Sequence, residues 1–233
     1  MKVIVTGASK GIGEGIATVL GREGFELGLL ARSGDLLEDL KTKIEALGAR
    51  CFAAECDLRS WKSTSTAIEE LIDSLGGIDA LINNAGVVIR KDVFTLSLDE
   101  WHAMVETNLN GLFYATRAVL PKLKIQQSGT IINVSSISGH FPLPGGSGYA
   151  ATKYAVVGFS DSIFHEVRDH GIRVTTMFPG SVDSKSHRHS PDEDTSWKVK
   201  PEEVGVACRD VLRTAPGTCI SQLEIRPLQR PPK

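Results

Sequence analysis

Short runs of apolar and β-branched residues alternate along the chain with longer segments in which apolar positions recur every three or four residues. The short runs predict buried strands, because a continuous apolar run bounded by turn residues is typical of a strand covered on both faces. The longer segments have helical periodicity. The predicted strands span 2–6, 26–31, 50–55, 79–83, 129–135, 173–178 and 219–225, and the predicted helices span 11–23, 34–47, 60–75, 97–124, 149–170 and 201–214.

This alternation predicts the α/β fold class. Crossover connections between parallel strands are right-handed, so we expect a single doubly wound domain over residues 1–233, with about seven parallel strands and helices on both faces of the sheet. The polar stretch 184–196 has no apolar period. We interpret the segment 184–198 either as a surface loop without a role or as a lid over a substrate site.

The composition is that of an ordinary folded domain. Hydrophobic residues make up 41% of the chain, charged residues 23%, and the formal net charge is −2. This balance does not indicate a surface for nucleic acid or a membrane. No apolar run is long enough to span a membrane, and the first one is too short for a signal peptide. We therefore expect a cytoplasmic protein without nucleic-acid or membrane partners.

The cysteines and histidines do not predict a metal site. None of the cysteines has metal-ligand spacing, so we expect free thiols in a reducing compartment. They are Cys51, Cys56, Cys208 and Cys219. The run His187–His189 lies in the polar stretch, where a solvated charge run is the preferred interpretation.

The first predicted strand ends in TGASKGIG (6–13), and a helix follows at once. Glycines there allow a sharp turn and a close approach of the backbone to a ligand, and the helix N-terminus offers N–H groups to a pyrophosphate. We predict a dinucleotide site in preference to an ordinary tight turn. Its residues are Gly7, Ser9, Lys10, Gly11, Ile12 and Gly13.

The end of the second predicted strand distinguishes the two nicotinamide cofactors, because it meets the adenosine ribose. Arg32 stands there, residues 30–33 contain no acid, and Lys10 supplies a second cation. Arginine suits a 2′-phosphate, which favours NADP(H) over NAD(H). In the alternative interpretation Arg32 is a solvated surface residue and Asp35 accepts the ribose hydroxyl of NAD(H).

Tyr149 and Lys153 lie four residues apart in YAATK, so a helix places them on one face. A free tyrosine has a pKa near ~10. A neighbouring ammonium lowers that pKa toward neutrality, as acid–base catalysis requires. The alternative is a surface pair without a task. Ser136, thirteen residues before Tyr149, is the candidate hydrogen-bond donor to a developing oxyanion, and its neighbour Ser135 is easily confused with it.

Two further groups of residues are candidates for the same site. Asn108 falls on the apolar stripe of the predicted helix 97–124, so a polar amide faces the sheet and needs partners. The stretch HFPLPGGSG (140–148) is rich in proline and glycine and lies between Ser136 and Tyr149. We expect it to form one wall of a substrate pocket. The candidate lining residues are Ser138, His140, Phe141 and Leu143.

These motifs, taken in order, resemble those of the short-chain dehydrogenase/reductase family. The chain has the glycine turn after a threonine, CDL (56–58), NNAG (83–86), NLNG (108–111), NVSSISG (133–139), Y-x-x-x-K and the Pro179–Gly180 pair. The resemblance runs from Val3 to about Ile225 and implies a Rossmann-type fold. It also implies hydride transfer between a nicotinamide and a carbonyl or secondary alcohol.

The resemblance assigns roles to individual residues. It implies that Tyr149 is the general acid/base, that Ser136 hydrogen-bonds the reacting oxygen, and that Lys153 also holds the ribose hydroxyls. Asn108 would hold a water for proton relay, although a core asparagine bonded to backbone remains an alternative. The further cofactor contacts that it implies are Asp57, Leu58, Asn84, Ala85, Gly86, Tyr149, Lys153, Pro179, Gly180, Val182 and Ser184.

Some residues of these motifs have open alternatives. Asn83 and Asn84 either border the cofactor or have a mainly structural role. Ser184 stands where the family usually has threonine, so its contact with the nicotinamide amide is a less direct match.

The substrate is also open, between small alcohols or 3-hydroxy acids and a 3-oxoacyl thioester on acyl-carrier protein. A non-catalytic protein that binds NADP(H) as a redox sensor is the third hypothesis.

The wide apolar surface of the helix at Tyr149, which includes Val157 and Phe164, predicts a homo-oligomer, either a dimer or a tetramer.

Overall fold

The computed structural model describes residues 1–184 and 194–229, and in this part of the chain every predicted strand and helix is present near its expected place. The strands are β1 (Lys2–Thr6), β2 (Glu26–Ala31), β3 (Cys51–Glu55), β4 (Ala80–Asn83), β5 (Gly129–Val134), β6 (Ile172–Pro179) and β7 (Gln222–Ile225). The helices are α1 (Gly11–Arg22), α2 (Gly34–Glu45), α3 (Trp61–Leu75), α4 (Leu98–Val105), α5 (Gly111–Gln126), α6 (Ser147–Val167) and α7 (Pro201–Leu212).

The strands form one parallel sheet in the order β3-β2-β1-β4-β5-β6-β7. This confirms the predicted fold class. Strand order reverses next to β1, where β2 lies on one side and β4 on the other. In open α/β sheets the crevice at such a switch point, beyond the carboxyl ends of the strands, is the usual ligand site.

Each face of the sheet is covered by three helices of the described chain. One apolar core lies between the sheet and α1, α2 and α7, with side chains such as Ile16, Leu40 and Val204 fully or almost fully buried. The other lies between the sheet and α3, α5 and α6, and includes Ile68 and Val119. Residues on both faces of each central strand are therefore apolar, which explains the continuous hydrophobic runs. No helix of the described residues is both long and apolar enough to cross a membrane.

The predicted helix 97–124 is interrupted. Ser97 and Glu100 form the expected capping box, with Ser97 Oγ accepting from Glu100 N at 3.1 Å and Ser97 N donating to the Glu100 carboxylate at 3.0 Å. Between α4 and α5, however, Glu106–Asn110 forms a π-helical turn. Such turns occur frequently at functional sites, and this one contains Asn108.

A row of buried polar side chains crosses the second core. Asn83 Nδ2 donates to Thr116 Oγ1 and to Asn133 Oδ1, each at 2.9 Å, and Asn133 Nδ2 donates to Ser160 Oγ at 2.8 Å. The row links β4 and β5 to α5 and α6. These hydrogen bonds support the structural interpretation of Asn83. The four cysteines are free thiols, and Cys51, Cys56 and Cys208 are buried.

Candidate active site

The glycine turn after β1 is packed against the loop that follows β4. Gly7 and Gly11 have positive φ angles of 65° and 60°. A Cβ on Gly7 would lie 2.6 Å from the Cα of Ala85, and one on Gly13 would lie 2.2 Å from the carbonyl oxygen of Gly7. Any larger side chain at these two positions would push the turn and the loop apart. The close packing explains why both positions are glycine.

Thr6 and Asn84 tie the same two segments together by hydrogen bonds. The Thr6 hydroxyl oxygen accepts from the backbone N–H groups of Asn84 and Ala85, both at 3.1 Å. The Asn84 amide nitrogen donates to the carbonyl oxygens of Thr6 and Gly7, at 3.0 and 3.1 Å. The side chain of Asn84 thus shapes the turn, which supports the structural alternative for this residue.

The N-terminus of α1 closes the turn and suits an anion. The first-turn N–H groups of a helix have no partner within the helix. The N-cap residue, Lys10, does not cap them with its side chain, which is exposed. Ser9 is half-buried, and the Ser184 carbonyl oxygen would lie 2.7 Å from a Cβ on Gly11. This glycine-lined cradle fits a dinucleotide pyrophosphate.

A cavity of about 450 Å³ lies beyond the ends of β2 and β3. Its lining residues are Arg32, Glu55, Cys56, Asp57 and Ser63. Arg32 is exposed and directly follows β2, as the cofactor prediction requires. The location, next to the switch point, fits the adenosine half of the cofactor.

Asp57 and Leu58, two of the expected cofactor contacts, have different surroundings in this region. The Asp57 carboxylate is held by the guanidinium of Arg59, with Oδ2 2.6 Å from Nη2 and both oxygens 3.0 Å from Nε. These hydrogen bonds keep the pKa of Asp57 below its ordinary value. Leu58 is buried in the second core, where it packs against Gly111 at the start of α5. The side chain of Leu58 is therefore part of the core and does not line the cavity.

Tyr149 and Lys153 lie on the buried face of α6. Tyr149 is 8% exposed and Lys153 is 5% exposed. The Lys153 Nζ lies 5.8 Å from the centroid of the Tyr149 ring and donates to the carbonyl oxygen of Val134 at 2.8 Å. Burial lowers the pKa of Lys153 from 10.5 to about 8, because the low-dielectric surroundings disfavour the ammonium. The pair therefore has the arrangement that YAATK predicts.

The two adjacent serines after β5 have different surroundings. Ser135 is buried, and its hydroxyl donates to the carbonyl oxygen of Lys153 at 3.1 Å. Ser136 is half-buried, has extended backbone geometry, and its Oγ accepts from the Ser138 N–H at 3.2 Å. Ser135 thus anchors the end of β5 to α6. Of the two hydroxyl groups, that of Ser136 is therefore the one that can donate to a substrate.

Asn108 connects the π-helical turn to the loop after β4 and to α6. Its Oδ1 accepts from Val87 N at 2.7 Å, and its Nδ2 donates to Val87 O at 2.9 Å and to Thr152 Oγ1 at 3.1 Å. Thr152 in turn donates to the Tyr149 carbonyl oxygen at 2.8 Å. Asn108 is thus a buried asparagine whose amide oxygen and nitrogen both bond protein groups, and through Thr152 it is linked to the first turn of α6.

The candidate pocket residues after Ser136 occupy different positions. Ser138 is buried, and the His140 ring is stacked on Phe178 with the centroids 4.0 Å apart. Phe141 and Leu143 are about half exposed, at 54% and 50%. The latter two side chains are thus placed to meet a ligand that enters from solvent, whereas Ser138 and His140 fix the segment to the body of the domain.

The chain beyond β6 returns to the glycine turn. Gly180 follows Pro179, and its N–H donates to the Ile225 carbonyl oxygen at 2.8 Å. Val182 is buried in the first core and bridges to Val199, so only its backbone can face a cofactor. Of the segment interpreted as a lid, 185–193 lie outside the described residues, and His187–His189 with them.

Residues 1–195 match the family of short chain dehydrogenases. The match covers well over half of the 233 residues and contains every motif of the site described above. The chain belongs to the short-chain dehydrogenase/reductase family.

Individual members of this family are similar along most or all of the chain. The 3-oxoacyl-(acyl-carrier-protein) reductase of Staphylococcus epidermidis is 35% identical, over 77% of this chain and 74% of that protein. The alcohol dehydrogenase of the archaeon Thermococcus sibiricus, solved with 5-hydroxy-NADP, has a TM-score of 0.92 and 32% identity, with both chains fully covered. The closed form of serine dehydrogenase, complexed with NADP+, has a TM-score of 0.90 and 30% identity over 98% of this chain and 95% of that chain.

Several residues of this short-chain dehydrogenase/reductase site are not evident from sequence patterns. Thr152 supports Asn108, and Glu55 lines the cavity beside Arg32. Arg226 lies over the Phe141 ring, 5.0 Å from its centroid, and pairs with Glu224. Thr152, Glu55 and Arg226 reach the site because of strand pairing or helix geometry, and such contacts cannot be seen in a single sequence. Among the described residues, no three His, Cys, Asp or Glu side chains form a group that could hold a metal ion.

Proposed function

We propose that this protein is an NADP(H)-dependent oxidoreductase that interconverts a carbonyl compound and a secondary alcohol, with Tyr149 as the general acid/base. The observation that carries the proposal is the buried pair on α6, in which the Lys153 ammonium lies 5.8 Å from the Tyr149 ring. A cation at this distance stabilises the phenolate over the phenol. Proton exchange by the tyrosine near neutral pH then becomes feasible.

Each residue of the site has its own proposed role in the reaction. When bound, the nicotinamide supplies or accepts the hydride. In reduction Tyr149 donates its phenolic proton to the substrate oxygen, and the Ser136 hydroxyl donates a hydrogen bond to the same oxygen. Lys153 stabilises the resulting phenolate, while its hydrogen bond to Val134 O fixes the ammonium. Asn108 acts through Thr152 and Val87, which position the first turn of α6 and the loop after β4.

The cofactor is held at the switch point of the sheet. The glycine turn and the N-terminus of α1 receive the pyrophosphate, and the cavity beside Arg32 receives the adenosine. The Arg32 guanidinium suits the 2′-phosphate, and Lys10, the N-cap residue of α1, is the candidate second cation. The NADP-bound structures of two family members at 30–32% identity support this assignment.

We favour a small carbonyl or alcohol substrate over an acyl-carrier-protein thioester. The alcohol dehydrogenase and the serine dehydrogenase are similar over nearly all of both chains. The acyl-carrier-protein reductase aligns over 77% of this chain, and its identity of 35% keeps that activity as the second candidate. The free cysteines favour a reducing compartment, and we propose the cytoplasm.

We also propose that the protein is a homo-oligomer. Aromatic side chains of α3, α5 and α6 form a continuous exposed face, with Trp61 and Phe113 more than 40% exposed. The ring centroids of Trp61 and Tyr114 lie 5.9 Å apart, and those of Phe113 and Phe159 lie 6.1 Å apart. An apolar face of this kind marks an interaction site, and a second copy would bury it isologously.

Replacement of Tyr149 with phenylalanine tests the function. We expect Tyr149→Phe to bind NADP+ as tightly as the wild type and to lose about 10²–10⁴-fold in turnover, the usual contribution of a general acid/base. The assay follows NADPH absorbance with ketones, aldehydes, hydroxy acids and 3-oxoacyl thioesters. Binding is followed separately by NADP+ titration.

Tyr114→Phe is the matched control, because Tyr114 lies on α5 in the aromatic face. It should leave turnover unchanged. Wild-type turnover in Tyr149→Phe would refute the mechanism. Tight NADP+ binding by the wild type, without reduction of any substrate in the panel, would favour the non-catalytic sensor.

A further inference from the structure

Glu55 brings a carboxylate into the adenosine cavity from the end of β3, two residues before Asp57. It is the last residue of β3 and pairs in register with Ala31, the residue before Arg32. Its Oε2 lies 2.6 Å from the position that a Cβ on Gly34 would occupy. Gly34 is the first residue of α2, and a carboxylate beside a helix N-terminus is stabilised by the helix dipole. The carboxylate therefore faces the end of β2, beside Arg32.

The second carboxylate of the cavity is already neutralised. Asp57 is chelated by the Arg59 guanidinium at 2.6–3.0 Å, and its Oδ1 also accepts from the Arg59 backbone N–H at 3.1 Å. Arg59 and Asp57 thus form an ion pair. Among the described residues, Glu55 forms no ion pair with any lysine, arginine or histidine. The charges left facing the cavity are therefore the guanidinium of Arg32 and the carboxylate of Glu55.

These two charges act in opposite directions on the adenosine ribose. A carboxylate accepts a hydrogen bond from the 2′-hydroxyl of NAD(H), whereas an arginine pairs with the 2′-phosphate of NADP(H). A carboxylate also repels a phosphate dianion that binds to the arginine next to it.

We propose that Glu55 is a specificity-determining residue of the 2′-subsite, which opposes Arg32 and keeps the site open to nucleotides without a 2′-phosphate. The inference rests on the proposed NADP(H) function. It adds that selectivity for NADP(H) is set by two residues of opposite charge, one after β2 and one at the end of β3. Glu55 is exposed at the cavity wall, so its replacement leaves the core intact.

Binding of 2′,5′-ADP and 5′-AMP tests this without catalysis. These probes share the adenine, the ribose and the 5′-phosphate and differ only in the 2′-phosphate. By isothermal titration calorimetry we expect Glu55→Gln to bind 2′,5′-ADP about 3- to 10-fold more tightly than the wild type, the range for one partly screened charge pair with a doubly charged anion. Binding of 5′-AMP should be unchanged or weaker.

Glu166→Gln on the exposed side of α6 is the matched control, because it removes the same charge far from the cavity. It should change neither affinity. Equal affinities in Glu55→Gln and the wild type, or an equal gain for both probes, would overturn the inference. A wild-type protein that binds 2′,5′-ADP no better than 5′-AMP, with Glu55→Gln showing preference for 2′,5′-ADP, would support the inference and count against the NADP(H) assignment. The absence of any preference in both proteins would overturn both.

Discussion

The buried lysine of the active site is held in its place at a cost to folding. Lys153 is 5% exposed, and its pKa falls from 10.5 to about 8 because burial disfavours the ammonium. One hydrogen bond, from Nζ to Val134 O, partly offsets that cost. Active sites commonly keep such unfavourable groups because the chemistry requires them. The proposed catalytic role of Lys153 and the stability of the fold are therefore in conflict at this residue.

Replacement of Lys153 with methionine should expose this conflict. We expect Lys153→Met to raise the free energy of unfolding at neutral pH by about 1–3 kcal/mol, since removing the ammonium whose pKa burial lowers to about 8 is partly offset by the lost hydrogen bond. Turnover should be lost in the same variant. Urea unfolding of both proteins provides the measurement.

The pH dependence separates charge burial from simple packing. Below pH 8 the wild-type folded state carries the full cost of the buried ammonium. Between pH 8 and 10.5 the folded protein releases the Lys153 proton before the unfolded chain does, so wild-type stability rises relative to the variant. The advantage of Lys153→Met should therefore shrink across this range. A constant advantage, or a less stable variant at neutral pH, would contradict the assigned pKa shift.

The residues of the proposed catalytic set can be predicted from their spacing, but their surroundings cannot. The four-residue separation of Tyr149 and Lys153 defines a shared helix face, and the structure has that face. The burial of Leu58 and the use of the Asn84 amide inside the glycine turn depend on which segments pack together. Spacing along one chain carries no information on such contacts.

At the scale of elements, the site lies where the glycine turn after β1 packs closely against the loop after β4. The glycine turn touches the loop after β4 through backbone atoms, and the Gly7 and Gly13 positions have no room for a Cβ. The turn thereby fixes the N-terminus of α1 relative to the carboxyl ends of β1 and β4. Cofactor affinity should be sensitive to any atom added at this contact.

Gly13→Ala tests that contact. The new Cβ would lie 2.2 Å from Gly7 O and 2.6 Å from Asn84 Nδ2, so the turn must move. We expect a loss of about 1–3 kcal/mol in stability, as for other overpacked sites, together with at least about a tenfold loss in NADP+ affinity. Thermal unfolding and NADP+ titration report the two effects.

Gly158→Ala is the matched control, since this helical glycine on α6 has no atom within 4 Å of an added Cβ. The same substitution there should stabilise the protein by about 0.5–1 kcal/mol through helix propensity. If both variants behave alike, the steric account of the glycine turn is wrong.

The elements themselves were predictable because most strands are buried on both faces. Their continuous apolar runs, bounded by turn residues, mark β1 and β2, and the predicted bounds match the observed ones. The edge strand β7 begins at Gln222, later than the predicted 219, and pairs with β6 alone. The π-helical turn at Glu106–Asn110 is hidden because an apolar stripe continues on both sides of it.

At the scale of the whole molecule, strand order determines which distant residues share a site. The order places β2 and β3 at one side of β1 and β4 to β7 at the other, so that Arg32 and Glu55 meet in one cavity. The same order brings Arg226, beyond β7, over Phe141 at the entrance between β5 and α6. Neither meeting follows from local sequence, because each depends on pairings between strands far apart along the chain.

The exposed aromatic face leads to the last prediction, which concerns assembly. Phe113 lies in the middle of this face, with Tyr114 at 5.9 Å and Phe159 at 6.1 Å between ring centroids. We expect Phe113→Asp to shift the mass in solution toward that of a single chain, because an aspartate on a face that packs on its own copy places two like charges in a desolvated interface. Light scattering at micromolar concentration provides the mass.

Ile125 offers a control on the same helix, since it is 81% exposed and lies near the far end of α5. Ile125→Asp adds the same charge outside the aromatic face and should leave the wild-type mass unchanged. Because Phe113 also packs on Phe159, unfolding of Phe113→Asp must be measured as well, so that loss of assembly is compared at retained fold. A wild-type protein with the mass of one chain, or a folded Phe113→Asp with the wild-type mass, would show that this face does not join copies of the chain. The exposed rings would then belong to a contact with a different partner.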